Sequence, residues 1–129
     1  MLCPKNTKPK VLLMEDEFYI GDVYKTGLEK IGFHVEWKRT TKETEEAIRN
    51  FKPEVILLDH GMKGEERSGL DVLRRLKKQS PACKVIMLSN YSNIELENAT
   101  RKAGAARYLL KIETPPSILG EYIKDLISQ

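Results

Sequence analysis

Cysteine is scarce in this sequence, long apolar runs are missing, and neither sign of charge dominates; each shortage closes off a class of protein. The two cysteines, Cys3 and Cys83, lie far apart, so no disulfide framework holds the fold together. With His34 and His60 they reproduce none of the paired spacings that hold structural zinc. No apolar stretch nears the ~20 residues that a bilayer-spanning helix needs. The longest uninterrupted runs, such as Val55 to Leu58, have the length of a strand. The opening Met1-Leu2-Cys3-Pro4-Lys5-Asn6-Thr7-Lys8-Pro9 is positively charged but has no apolar segment behind it, so it does not read as a secretory signal. Residues 1–9 are expected to form a disordered leader. A net charge of +3, from 22 Lys and Arg against 19 Asp and Glu, is too small and too dispersed to mark a nucleic-acid-binding face. The expectation is a cytoplasmic chain with reduced thiols, touching neither nucleic acid nor membrane directly.

What is present suits one compact domain over residues 10–129. A chain of 129 residues with 40% hydrophobic content can bury a full core without covalent staples. From Lys10 onward, short apolar runs alternate with longer amphipathic segments, the pattern of an α/β protein. The runs Val11–Met14, Val35–Trp37, Val55–Leu58, Val85–Leu88 and Tyr108–Leu110 predict strands. The third and fourth are unbroken rather than alternating, as parallel strands covered on both faces are. Helical spacing predicts helices over Phe18–Ile31, Thr41–Phe51, Gly69–Gln79 and Ile94–Ala103, and Pro115-Pro116 opens a fifth through Leu126. Thr41 and Ser68 are the expected N-caps, and Gly32 and Gly104 the expected stops. Five such units predict a doubly wound five-stranded parallel sheet of order 2-1-3-4-5, the flavodoxin-like arrangement.

Ligands of such sheets bind outside the carboxyl ends of the strands, where the order changes direction. Glu15, Asp16 and Glu17 follow strand one, Asp59 strand three, Ser89 strand four and Lys111 strand five. Neighbouring strands lie ~4.8 Å apart, so these groups can share one crevice. Carboxylates at ~4 Å repel by about 4 kcal/mol per pair at an effective dielectric near 20, and a cation must relieve this. Oxygen ligands completed by water suit Mg²⁺, with Lys111 and Ser89 placed to contact a phosphoryl group. Asp59, on the most apolar strand, is the expected nucleophile, giving an aspartyl phosphate, with Glu15 and Asp16 as metal ligands. Taken singly, Asp16, Asp59 and Ser89 read as turn residues and Lys111 as a surface lysine; the joint pattern on adjacent strands argues for a site.

These same stretches resemble the receiver domain of two-component response regulators. Val11-Leu12-Leu13-Met14-Glu15-Asp16-Glu17 is similar to its acidic-pocket motif, and Val55-Ile56-Leu57-Leu58-Asp59 to its phosphoacceptor strand. Val85-Ile86-Met87-Leu88-Ser89 is similar to its switch-hydroxyl motif, and Gly104-Ala105-Ala106-Arg107-Tyr108-Leu109-Leu110-Lys111 to its lysine motif. The resemblance implies that Asp59 accepts phosphate from the phosphohistidine of a sensor histidine kinase or phosphotransfer protein. It implies Mg²⁺ held by Glu15, Asp16, Asp59 and the Gly61 carbonyl, with Ser89 and Lys111 contacting the phosphoryl group. Ser89 and Tyr108 would move together on phosphorylation, while Asn90 and Tyr91 would set access and kinetics. The implied role is a phosphoacceptor that assists its own phosphorylation and dephosphorylation, not an enzyme with turnover. Because Gln129 ends the sequence, output is expected through docking to another protein, as in single-domain members. The readout surface would be the fourth helix, fifth strand and fifth helix, a face through which a homodimer is also allowed.

The sequence departs from that pattern at several places. Lys63 stands after Met62 where the family has proline, and Lys63 to Ser68 lengthens the loop by two residues. Ile112 replaces the proline that follows the lysine through a cis bond; a cis bond before a non-proline residue costs ~3 kcal/mol, so a trans Lys111–Ile112 bond is expected. A pseudo-receiver that binds partners without phosphorylation is the alternative reading. A nucleotide-binding protein on the same scaffold lacks its Gly-rich loop, and a dehalogenase-like phosphatase lacks its D-x-D pattern at Asp59.

Overall fold

Each apolar run becomes a strand and each amphipathic segment a helix. The structure, a computed structural model, describes residues 7–61 and 68–129. In chain order it has β1 (Lys10–Met14), α1 (Phe18–Lys30), β2 (His34–Lys38), α2 (Thr41–Phe51) and β3 (Val55–Asp59). Then follow α3 (Gly69–Gln79), β4 (Lys84–Ser89), α4 (Ile94–Lys102), β5 (Arg107–Leu110), a 3-10 turn (Lys111–Glu113) and α5 (Pro116–Ile127). The expectations for Cys3 and the rest of residues 1–6, for Met62 and Lys63, and for the length of the loop before Ser68 lie outside the described residues.

The five strands are parallel and lie in the order β2-β1-β3-β4-β5, the doubly wound arrangement expected. Alternation along each strand divides the core in two. Val11, Leu13, Val55, Leu57, Ile86 and Leu88 pack against Tyr24 and Leu28 of α1 and Leu119, Ile123 and Leu126 of α5. Leu12, Met14, Ile56, Leu58, Val85 and Met87 face the other way, onto Ala47 and Phe51 of α2 and Val72, Leu73 and Leu76 of α3. Both faces are covered, so β3 and β4 need apolar side chains at nearly every position. Each fully buried aliphatic side chain contributes ~1.5–3 kcal/mol, so the sheet's centre is the most strongly held part of the chain.

Element ends differ from expectation at a few points. The cap of α2 is Thr40, not Thr41: the Thr40 hydroxyl accepts from the Glu43 amide (3.1 Å) and donates to the Glu43 carboxylate (3.0 Å), and Thr41 is the first helical residue. Ser68 caps α3 as expected, in a reciprocal capping box with Asp71. Gly32 and Gly104 both adopt φ +107°, a backbone state that suits glycine, just past α1 and α4. Asp59 and Ser89 are the last residues of β3 and β4 rather than the first beyond them. No peptide bond among the described residues is cis, in keeping with the trans Lys111–Ile112 bond expected.

Candidate functional site

Register alone brings the acids together. Met14 pairs with Leu58, so Glu15, one step beyond β1, comes level with Asp59 at the end of β3. Ser89 pairs with Leu110, so Lys111 emerges one step beyond β5 at the same edge of the sheet. Alternation then sorts the side chains. Glu15 continues the face of Val11 and Leu13, and Asp59 that of Val55 and Leu57, so both carboxyls lie on the α1/α5 side.

Lys111 closes this cluster. Its ammonium donates to Glu15 Oε1 (2.6 Å) and Asp59 Oδ1 (3.0 Å), with only 7% of its side chain exposed. Glu15 and Asp59 are both buried. Burial drives the Glu15 carboxyl up to about 7, the Asp59 charge pushes it the same way, and Lys111 opposes both. Burial alone would lower the Lys111 ammonium, but Asp59 and Glu15 outweigh it and leave the ammonium raised, hence charged. Carboxylate oxygens of Glu15, Asp16 and Asp59 lie within 4.8 Å of one another. Two buried carboxyls and a half-buried third thus crowd their oxygens into one small space, with Lys111 bonded to the two buried ones. A hard divalent cation with oxygen ligands fits that donor set.

Each expected site residue can now be placed. Glu15, Asp16, Asp59 and Lys111 come together as read from the sequence. The Gly61 amide donates to Asp59 Oδ1 (3.0 Å). Ser89 does not reach the acids: its hydroxyl donates to the Tyr91 carbonyl (3.2 Å) and accepts from the Tyr91 amide (3.1 Å). Ser89 shares the face of Val85 and Met87, opposite to the carboxylates, which accounts for its separation. Tyr108 is buried on that same face and donates to the same Tyr91 carbonyl (2.7 Å). Tyr91 thus ties the two hydroxyls together through its backbone, while its ring is exposed. Asn90 is exposed and borders a cavity of about 440 Å³ together with Lys111, Ile112, Tyr19, Val23 and Pro116.

Two contributors were not foreseen in the sequence. Trp37 and Arg39, at the end of edge strand β2, donate to the main-chain carbonyls of Glu15 and Asp16. The hint was the strand order itself, which sets the end of β2 beside the end of β1.

A five-stranded doubly wound sheet with three carboxylates and a lysine at its carboxyl edge defines a class of signalling domain, and the comparisons identify it. The family described as "Response regulator receiver domain" matches residues 11–122, and the chain belongs to that family. It is 32% identical over 102 residues to the transcriptional regulatory protein QseB of Escherichia coli O157:H7, covering 79% of this chain and 46% of that one. It is 25% identical over 111 residues to the chemotaxis protein CheY of Thermotoga maritima, covering 85% of this chain and 91% of that one. The chain spans about half the length of QseB and of the response regulator PmrA of Pseudomonas aeruginosa, 46% and 45% respectively. Among solved structures, a CheY-like receiver domain from Methanospirillum hungatei JF-1 superposes with a TM-score of 0.86 at 29% identity, covering 95% of each chain. A response regulator from Thermotoga maritima gives 0.82 at 32% identity, covering 95% of this chain and all of that one. Receiver domains are phosphoacceptor signalling domains of two-component systems. No helix among the described residues is long and apolar enough to cross a membrane.

Proposed function

We propose that this chain is a phosphorylation-activated switch in which Asp59 accepts a phosphoryl group from a histidine kinase or phosphotransfer protein. The observation that carries this is the Lys111 ammonium held between the buried Glu15 and Asp59 carboxylates, with an Asp16 oxygen beside them. An Asp59 carboxylate oxygen attacks phosphorus, forming an O–P bond as the donor's N–P bond breaks and its imidazole departs. Glu15, Asp16, Asp59 and the Gly61 carbonyl would hold Mg²⁺, which when bound would supply positive charge for the phosphoryl oxygens. Lys111 then exchanges its bond to Asp59 for one to the phosphoryl group. Ser89 leaves the Tyr91 carbonyl to donate to the new phosphate, and Tyr108, which shares that carbonyl, follows. Asn90 and Tyr91 govern how water and the donor reach Asp59. The apolar rim of the neighbouring cavity, with Tyr19 84% and Ile112 89% exposed, supports docking of a protein donor next to the acid. Output passes through α4, β5 and α5 to a protein partner, in the cytoplasm where the donor's phosphohistidine is made.

Intact-mass measurement after incubation with acetyl phosphate and Mg²⁺, beside an EDTA control and an Asp59→Asn variant, tests this. One metal-dependent phosphoryl adduct is expected, absent from the variant. A folded wild-type protein that takes no adduct would instead be a pseudo-receiver, binding partners without phosphorylation.

A further inference from the structure

We propose that Trp37 on edge strand β2 and Arg39 just beyond its end are positioning residues that set the divalent-cation affinity of the acidic pocket from outside it. This rests on the reading that Glu15 and Asp16 hold Mg²⁺. Neither Trp37 nor Arg39 offers a metal ligand; what they hold is the backbone that aims the ligands.

The β1–β2 ladder ends at the Met14–Lys38 pair, so Glu15 and Asp16 lie past the last strand pairing. Three contacts from the end of β2 replace it. The Glu15 amide donates to the Lys38 carbonyl (3.0 Å), the Trp37 indole N–H to the Glu15 carbonyl (2.9 Å), and the Arg39 guanidinium to the Asp16 carbonyl (2.9 Å). The Glu17 amide in turn donates to Glu15 Oε2 (3.1 Å). Successive peptide planes on either side of Asp16 are thereby fixed at their carbonyls. Fixing those planes fixes where the Cα–Cβ bonds of both acids point.

The two donors are themselves immobilised. The Trp37 ring lies directly on Gly21 of α1, where an added Cβ would sit 2.0 Å from Cζ2, so the indole has no room to turn. Phe18 covers it with ring centroids 5.6 Å apart, and the Arg39 guanidinium stacks over Phe18 at 5.8 Å. Packing alone requires no indole nitrogen; here the N–H is aimed at the carbonyl of a ligand residue. Outer partners of this kind tune metal sites by orienting ligands they do not replace.

The test is isothermal titration of Mg²⁺ into the wild-type protein and into Trp37→Phe, Arg39→Gln and Val35→Ala variants at one pH, with unfolding midpoints measured in parallel. Trp37→Phe keeps an aromatic ring over Gly21 and removes the donor. Val35→Ala removes buried packing from the same strand without touching the acidic turn. Trp37→Phe is expected to weaken Mg²⁺ binding about tenfold and Arg39→Gln severalfold, with Val35→Ala staying within about twofold of wild type. Unchanged affinity in folded Trp37→Phe and Arg39→Gln overturns the proposal. Equal weakening in Val35→Ala also overturns it, because affinity would then follow stability alone. The phosphoryl-adduct assay separates this from the proposed function. A wild type that binds Mg²⁺ but takes no phosphoryl group refutes the switch and leaves the affinity comparison decisive. A wild type that binds no Mg²⁺ refutes both.

Discussion

Glu15 departs far from the ordinary behaviour of a glutamate, and the departure has a direction in pH. Its folded carboxyl sits at about 7 against a usual 4.5, from burial first and Asp59 second. Below the usual value the folded and unfolded chains are both protonated there. As pH rises to neutrality the unfolded chain loses the proton and the folded one keeps it, so metal-free stability falls by up to about 3 kcal/mol. His60 works oppositely, since burial lowers its imidazole despite Asp59, and stability rises with pH as it loses its charge. Comparing wild type with Glu15→Gln cancels the His60 contribution. Urea midpoints at about pH 5 and about pH 8 should therefore drop more steeply in wild type than in Glu15→Gln, and parallel profiles would contradict it. Mg²⁺ favours the ionised carboxylate, so titrations in buffers of different ionisation enthalpy should show proton release near neutrality. Lys111→Met leaves both buried carboxylates without their cation and should cost about 3–5 kcal/mol in metal-free protein, part of it recovered with Mg²⁺. Asp59→Asn relieves the same repulsion and should raise the metal-free midpoint.

At the scale of elements, most of the site could be read in advance because parallel register is a counting rule. Strand ends that are level in the sheet bring Glu15, Asp59 and Lys111 together, and the apolar runs marked those ends within a residue. Ser89 was expected in the same crevice, yet Val85, Met87 and Ser89 share a parity that turns its hydroxyl to the other face. That parity was present in the sequence; where the β4–α4 loop would place the Tyr91 carbonyl was not. Thr40 over Thr41 as the cap of α2 was also readable, since only Thr40 has a glutamate three residues on. Gly69 shows what sequence could not supply. It was expected only as a helix start, but its missing side chain lets α3 begin against the backbone of Asp59: a Cβ there would lie 2.3 Å from the Asp59 carbonyl oxygen. Gly69→Ala should destabilise by about 1–3 kcal/mol, as overpacking does, and should slow adduct formation by displacing Asp59. Urea denaturation beside time-resolved intact mass checks both; wild-type values in each would show that α3 yields freely.

For the whole molecule, a switch requires two packings separated by a few kcal/mol, and the described structure differs in tightness from one side to the other. The sheet and α1, α2, α3 and α5 bury several side chains each, whereas Thr100 is the one buried residue of α4. Its hydroxyl is, among the described residues, a buried side-chain oxygen with no hydrogen-bond partner. A helix whose one fully buried residue carries an unsatisfied polar atom, with Leu96 and Ala103 only partly buried against the core, is poised to move at little cost. It starts at Ile94, just after the Tyr91 carbonyl that receives the Ser89 and Tyr108 hydroxyls, so departure of Ser89 toward a phosphate would be felt there first. Replacing the hydroxyl with a methyl group of the same shape should strengthen the resting packing. Thr100→Val is expected to raise unfolding stability by about 1–2 kcal/mol, the cost of an unsatisfied buried hydroxyl, and to slow amide hydrogen exchange in α4. If α4 must shift for output, the same variant should take up phosphate normally while binding its partner more weakly. Faster exchange in α4, or an unchanged unfolding midpoint, would place the loose element of the switch elsewhere.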